Sequence, residues 1–200
     1  MNNYDMLDRI EILVEEPSMM EVLKALLPQI MPDKWTLNDN YFIRPHEGKS
    51  DLKRSIPQKI KAFSKWKDCN TGFIILQDQD SNNCKQLKQE LQALCQQYAG
   101  PNIQYLIRIV CHELEAWYLG DPDAIERVFP RFHAAQYKTK KIFKDPDGCQ
   151  NPKNELKKIV GEYPQIQTAR SMGEELTSNF RNNKSTSLQQ LISGVIRFVS

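Results

Sequence analysis

Four short apolar runs, separated by segments whose apolar residues recur every three or four positions, constrain this chain more than any other feature. Arg9 to Val14 (RIEILV), Thr71 to Leu76 (TGFIIL) and Ile103 to Cys111 (IQYLIRIVC) are continuous rather than alternating in hydrophobicity, the pattern of strands covered on both faces. A weaker run spans Asn40 to Arg44. Between them, Val22, Leu23, Leu26, Leu27 and Ile30 form one stripe that ends at Pro32, and Leu52, Ile56, Ile60 and Phe63 form a second. Leu87, Leu91, Leu94 and Tyr98 form a third, each with the period of a helix that buries one face. Ser18 and Glu21 have capping-box spacing, Pro57 is expected to restart the second helix, and Ser81 or Asn82 to cap the third. Strands alternating with helices imply parallel pairing through right-handed crossovers. The expectation is an α/β fold: a Rossmann-like parallel sheet of about four strands flanked by helices.

From His112 onward the pattern is helical, over 112–119, 122–128, about 152–162, 165–177 and 187–198. The expected organisation is an α/β core over 1–121 and a helical C-terminal extension over 122–200, packed on that core. Two hundred residues suit one hydrophobic core, and 40% hydrophobic with 26% charged residues is the balance of a folded globular chain. No apolar run approaches the ~20 residues of a bilayer span. Met1 to Asp8 is polar and acidic, unlike a signal peptide, so a cytoplasmic protein without membrane partners is expected. Cys69, Cys84, Cys95, Cys111 and Cys149 are scattered without a C-x-x-C pair and read as reduced thiols. A net charge of +2 does not announce a nucleic-acid binder, although Lys138, Lys140, Lys141 and Lys144 cluster locally. No motif sets an oligomeric state.

Ligands of parallel sheets bind beyond the carboxyl ends of the strands, which makes the polar residues after each apolar run the first candidates. Glu15 and Glu16 follow the first run, Asp78 and Asp80 the third, and His112, Glu113 and Glu115 the fourth. Side chains two apart on an extended segment point the same way, so Asp78 and Asp80 are expected to converge on one hard cation, Mg2+ or Mn2+, with Glu15 from the neighbouring strand. Glu113 is a further candidate ligand; on a helix, only one of Glu113 and Glu115 readily joins the site. Gly48, Lys49 and Ser50 suit a phosphate-facing turn at a helix start, though the spacing of a Walker motif is absent. Asp78-x-Asp80-x-Asn82 mimics an EF-hand start, but Asn83 and Gln89 stand where that loop needs glycine and glutamate.

Glutamate after the first strand and D-x-D after the third resemble the Toprim domain of topoisomerases, primases, small RNA-maturing nucleases and overcoming-lysogenization-defect nucleases. The resemblance implies that Glu15 acts as acid, base or ligand and that Asp78 and Asp80 hold magnesium. Glu16 stands where that family carries glycine, so both glutamates remain candidates. Glu47-Gly48-Lys49-Ser50-Asp51 also looks like the Toprim corner, but it leaves one strand-helix-strand unit before the D-x-D where two are needed. A resemblance over nearly the whole chain is to the bacterial domain-of-unknown-function family 4276, carried by I-L-V-E-E-P-S-M (Ile12 to Met19), G-K-S-D-L (Gly48 to Leu52), E-L-E-A-W-Y-L-G-D (Glu113 to Asp121), F-K-D-P-D (Phe143 to Asp147) and N-x-S-x-S (Asn183 to Ser187).

These resemblances imply a magnesium-dependent nuclease acting on DNA or RNA, with catalytic Glu15, Glu16, Asp78, Asp80 and Lys49, set in bacterial defence systems beside an ATPase. Two alternatives stand beside it. A regulatory partner subunit of an ATPase would use the acidic cluster to bind metal or partner. A haloacid-dehalogenase-like phosphatase also uses D-x-D, but after its first strand.

Overall fold

Each of the four apolar runs forms a strand in the computed structural model of the chain, which describes residues 6–200. Residues 1–5, most of the polar stretch weighed as a signal peptide, lie outside the described residues. Strands β1 (Arg9–Val14), β2 (Tyr41–Pro45), β3 (Thr71–Asp78) and β4 (Ile103–Val110) are all parallel, in the order β2-β1-β3-β4. Helix α1 (Pro17–Leu26) links β1 to β2, α2 (Lys49–Phe63) links β2 to β3, and α3 (Cys84–Gln96) links β3 to β4. The helical remainder comprises α4 (Glu115–Leu119), α5 (Pro122–Val128), α6 (Lys141–Lys144), α7 (Pro152–Val160), α8 (Gln165–Thr177) and α9 (Thr186–Val199).

Alternation along the strands sorts side chains into two layers. Leu13, Phe73 and Ile75 meet Leu52, Ile56 and Ile60 of α2 and Leu91 of α3. Ile10, Ile12, Val14, Ile74 and Leu76 face a larger cluster built from α1 and from helices of the C-terminal half, including Trp117, Met172, Leu188 and Val195. Residues after 121 therefore complete the core of the sheet and have no separate one. Gly173 shows how close that seam is: a Cβ there would lie 2.9 Å from Val22 Cα, so only glycine lets α8 reach the α1 backbone.

The chain runs from β1 outward to β2, then returns to place β3 on the other side of β1. Connections from β1 and β3 consequently leave in opposite directions and open a crevice beyond their carboxyl ends.

Several local expectations change. Glu16, not Ser18, is the N-cap of α1, and its side chain makes no capping bond. Pro17 sets the first turn instead, and Glu21 is buried in ion pairs with Lys24 and Arg170. Helix α2 continues through Pro57 without a restart. Asn83 caps α3, accepting from the Lys85 and Gln86 N–H groups. The helix expected from 112 starts at Glu115 because His112 adopts φ +56°. As an edge strand, β4 is only partly covered despite its apolar run. Among the described residues, no helix is long and apolar enough to cross a membrane.

Candidate functional site

The crevice between β1 and β3 is where the predicted acidic residues meet. Glu15 extends β1 by one residue and is buried; its Oε2 accepts a hydrogen bond from the Asp78 N–H at 3.1 Å, which joins positions 63 apart. Its carbonyl accepts from the Gly48 N–H at 3.0 Å. Gly48 turns the chain at φ +90°, a conformation that strains any side chain, and so starts α2 over the crevice. Lys49 at that start forms an ion pair with Asp80 and lowers the cost of charge on Glu15. Ser50 is exposed in the same turn.

Burial dominates the electrostatics. It pushes the Asp78 carboxyl well above the ordinary carboxylate range, and negative charge on Glu15, Glu115 and Glu16 adds to the rise, against one opposing bond from the Leu114 N–H. Asp78 Oδ1 is buried with no hydrogen-bond partner. Glu15 is raised by burial, held back by the Asp78 N–H and by Lys49. Glu115 is raised by burial too, held back by backbone N–H bonding, Lys153 and Tyr163, whose hydroxyl donates to Glu115 Oε1 at 3.0 Å. Tyr118, buried beside the same acids, keeps its proton well above the usual tyrosine range for the same first reason, burial. Around Asp78, like charges share one low-dielectric pocket, and no cation is among the main influences on its carboxyl.

The other candidates lie around this pocket. Asp80 does not continue the extended strand: it has φ +48°, so the rule that aligns side chains two apart stops at Asp78, and the two aspartates hold different partners. Asp80 and His112 lock β3 to β4 beyond the strand ends. The Asp80 N–H donates to the His112 carbonyl at 2.8 Å, and His112 Nδ1 lies 3.0 Å from the Asp80 carbonyl. Because a carbonyl only accepts, Nδ1 carries the proton in this arrangement. Glu113 Oε2 accepts from the Lys153 N–H at 3.1 Å, at the start of α7, and lines an open cavity of about 470 Å3 with Gln79, Asp80, Ser81, His112, Gln150 and Asn151. Glu16 is half-buried and accepts from the Ser18 hydroxyl. Of the lysine cluster, Lys138 pairs with Asp123 and Lys140 sits over the Tyr137 ring.

Glu115, rather than Glu113, is the fourth-run acid that faces Asp78. Its signal in the sequence is a glutamate inside the apolar run E-A-W-Y-L, where a solvated charge has no place. Tyr163 had no such signal, because a lone tyrosine in a polar segment is unremarkable.

The bare Asp78 oxygen is a hard donor of the kind that a divalent cation takes. Among the described residues, no three His, Cys, Asp or Glu side chains are grouped so that they could hold a metal ion.

One family model, described as Domain of unknown function (DUF4276), matches residues 14–196. No curated protein and no solved structure matches the chain.

Proposed function

The chain belongs to the DUF4276 family, and from that premise we propose that the crevice hydrolyses phosphodiester bonds of nucleic acid as a Toprim-like, Mg2+- or Mn2+-dependent nuclease. The observation that carries this reading is Asp78: a buried, unpartnered carboxylate oxygen at the β1/β3 switch point, hydrogen-bonded through its own N–H to Glu15. Asp78, Glu15 and Glu115 would hold the cation once their side chains close on it, with Asp80 at the outer edge. A bound cation would polarise the scissile phosphate and offset its charge. Glu15, whose proton affinity burial has raised, takes the proton of the attacking water. Lys49 and the first N–H groups of α2 face the phosphate oxygens.

The test is cleavage of labelled single-stranded DNA and RNA across a Mg2+ and Mn2+ titration. Wild type is expected to cut, and Asp78→Asn and Glu15→Gln to lose cutting. Undiminished cutting by both variants ends the proposal. If wild type binds the cation by calorimetry and cuts neither polymer, the regulatory reading, a partner subunit of an ATPase, replaces it.

A further inference from the structure

Two helices cover the α2/α3 face of a four-stranded sheet, and they leave one strand bare. Helix α2 packs over β1 and α3 over β4. Tyr41 and Ile43 of β2 are buried, whereas Phe42 and Arg44 point the other way and are half-exposed. The register places Arg44 beside Leu13, a residue of the α2/α3 layer, so the bare side of β2 belongs to that face. Glu11, beneath it, is buried and bonded to both Arg9 and Arg44. The two guanidinium carbons sit 3.8 and 4.7 Å from the Phe42 ring centre. Phe63 and then Trp66, which is 52% exposed, extend this shelf past the end of α2.

The charge of the same region is uneven. Residues 42–67 carry eight basic side chains and two acidic ones, an excess of six in a chain whose net charge is +2. Among the described residues, Lys59, Lys61, Lys65 and Lys67 form no ion pair. Lysines without ion-pair partners, arginines close over an aromatic ring and an exposed tryptophan together suit a polyanion that also offers planar faces.

We infer that the shelf formed by Phe42, Arg44, Phe63, Trp66 and the lysines of α2 and of the turn after it binds a single strand of nucleic acid, backbone on the lysines and bases on the exposed Trp66 ring and the guanidinium faces over Phe42. Stacking on Trp66 requires unpaired bases, which favours a single strand over a duplex. Helix α2 is about 22 Å long at ~1.5 Å per residue, so the shelf leads from Trp66 to Lys49 at the crevice. This inference rests on the nucleic-acid reading above and assigns the strand its path.

The experiment uses the full chain in EDTA, where cutting cannot intervene. Oligothymidylate is titrated, with tryptophan emission and the anisotropy of a labelled strand as readouts. Trp35 and Trp117 are buried, so a saturable quench reports Trp66. Trp66→Phe should abolish the quench while keeping affinity within about twofold, and Trp66→Ala should weaken binding about tenfold. Replacing Lys59, Lys61, Lys65 and Lys67 by Gln should lower the salt slope by ~0.7 per lysine, whereas Lys138→Gln with Lys141→Gln should leave it unchanged. Unaltered affinity in the shelf variants overturns the inference, as does equal affinity and quench with a duplex or a polyglutamate peptide. Because binding is read without metal, wild type that binds the strand here yet never cuts it overturns the cleavage reading alone, whereas wild type that cuts without using the shelf overturns this inference alone.

Discussion

Glu21 and Asp78 are acids withdrawn from bulk water in the same layer of the molecule, yet their surroundings push them in opposite directions. Burial alone would raise Glu21, but hydrogen bonds from Lys24 and Arg170 outweigh it and its pKa falls. Asp78 has burial, Glu15, Glu115 and Glu16 all raising it, and one N–H opposing. Glu11 is likewise flanked by cations, forming ion pairs with Arg9 and Arg44. Where this fold needs a buried carboxylate for its own integrity, it supplies cations. At the carboxyl ends of β1 and β3 the acids around Asp78 outweigh the cations that reach them, an arrangement that costs stability.

The sharpest break of that contrast is Asp78→Asn. In a cleavage assay it should lose on the order of 10³-fold in rate, the equivalent of about 4 kcal/mol of transition-state stabilisation. In urea at pH 7.5 without metal it should be more stable than wild type by about 1 kcal/mol, because a buried uncompensated charge has gone. A loss of stability together with full activity would place Asp78 with the structural acids. Glu11→Gln should behave in the reverse sense. It leaves Arg9 and Arg44 without their carboxylate, and because both arginines are partly exposed the cost is about 2 kcal/mol rather than the full buried-pair value. Cleavage by the folded fraction should fall far less than in Asp78→Asn.

Proton linkage extends the contrast to pH. Asp78, Glu15 and Glu115 have folded-state pKa values above their unfolded ones. The folded chain therefore binds protons more tightly, and its stability falls as pH rises from the ordinary carboxylate range through the raised values. Glu21 has a lowered pKa and contributes the opposite slope, losing its stabilisation as pH falls through its folded value. Mg2+ should raise the melting temperature at pH 7.5 and do little at pH 4.5, where the crevice acids hold protons. Equal metal stabilisation at both values would mean that the cation binds elsewhere.

Much of this was legible in residue order. Continuous apolar runs marked the central strands β1 and β3, because a strand covered on both faces has no polar phase to blur its ends, and the helical periods gave 122–128 and 165–177 to the residue. The meeting of Glu15 with Asp78 followed from strand-end placement. Caps and backbone exceptions were less accessible. Ser18 and Glu21 have capping-box spacing, but Arg170, 149 positions away, claims Glu21, and no local rule contains that partner. Asp80 left the strand conformation because its N–H and carbonyl bond to His112, another nonlocal pairing. The burial of Glu115 was hidden for a related reason: His112 turns the chain at φ +56° after β4, so α4 starts only at Glu115, which is buried.

The smallest effect tests whether that buried glutamate is ionised. Tyr163 donates to Glu115 Oε1 and lowers its pKa, offsetting part of the rise caused by burial. Tyr163→Phe removes that donor and leaves Glu115 with a still higher folded pKa. A bond to an ionised oxygen is worth more than one to a neutral acid, so the loss should be about 1 kcal/mol at pH 8 and clearly smaller at pH 4. Urea unfolding at the two pH values measures the difference. Equal losses would mean that Glu115 stays neutral throughout, in which case it serves as a hydrogen-bonding wall of the pocket and the cation rests on Asp78 and Glu15.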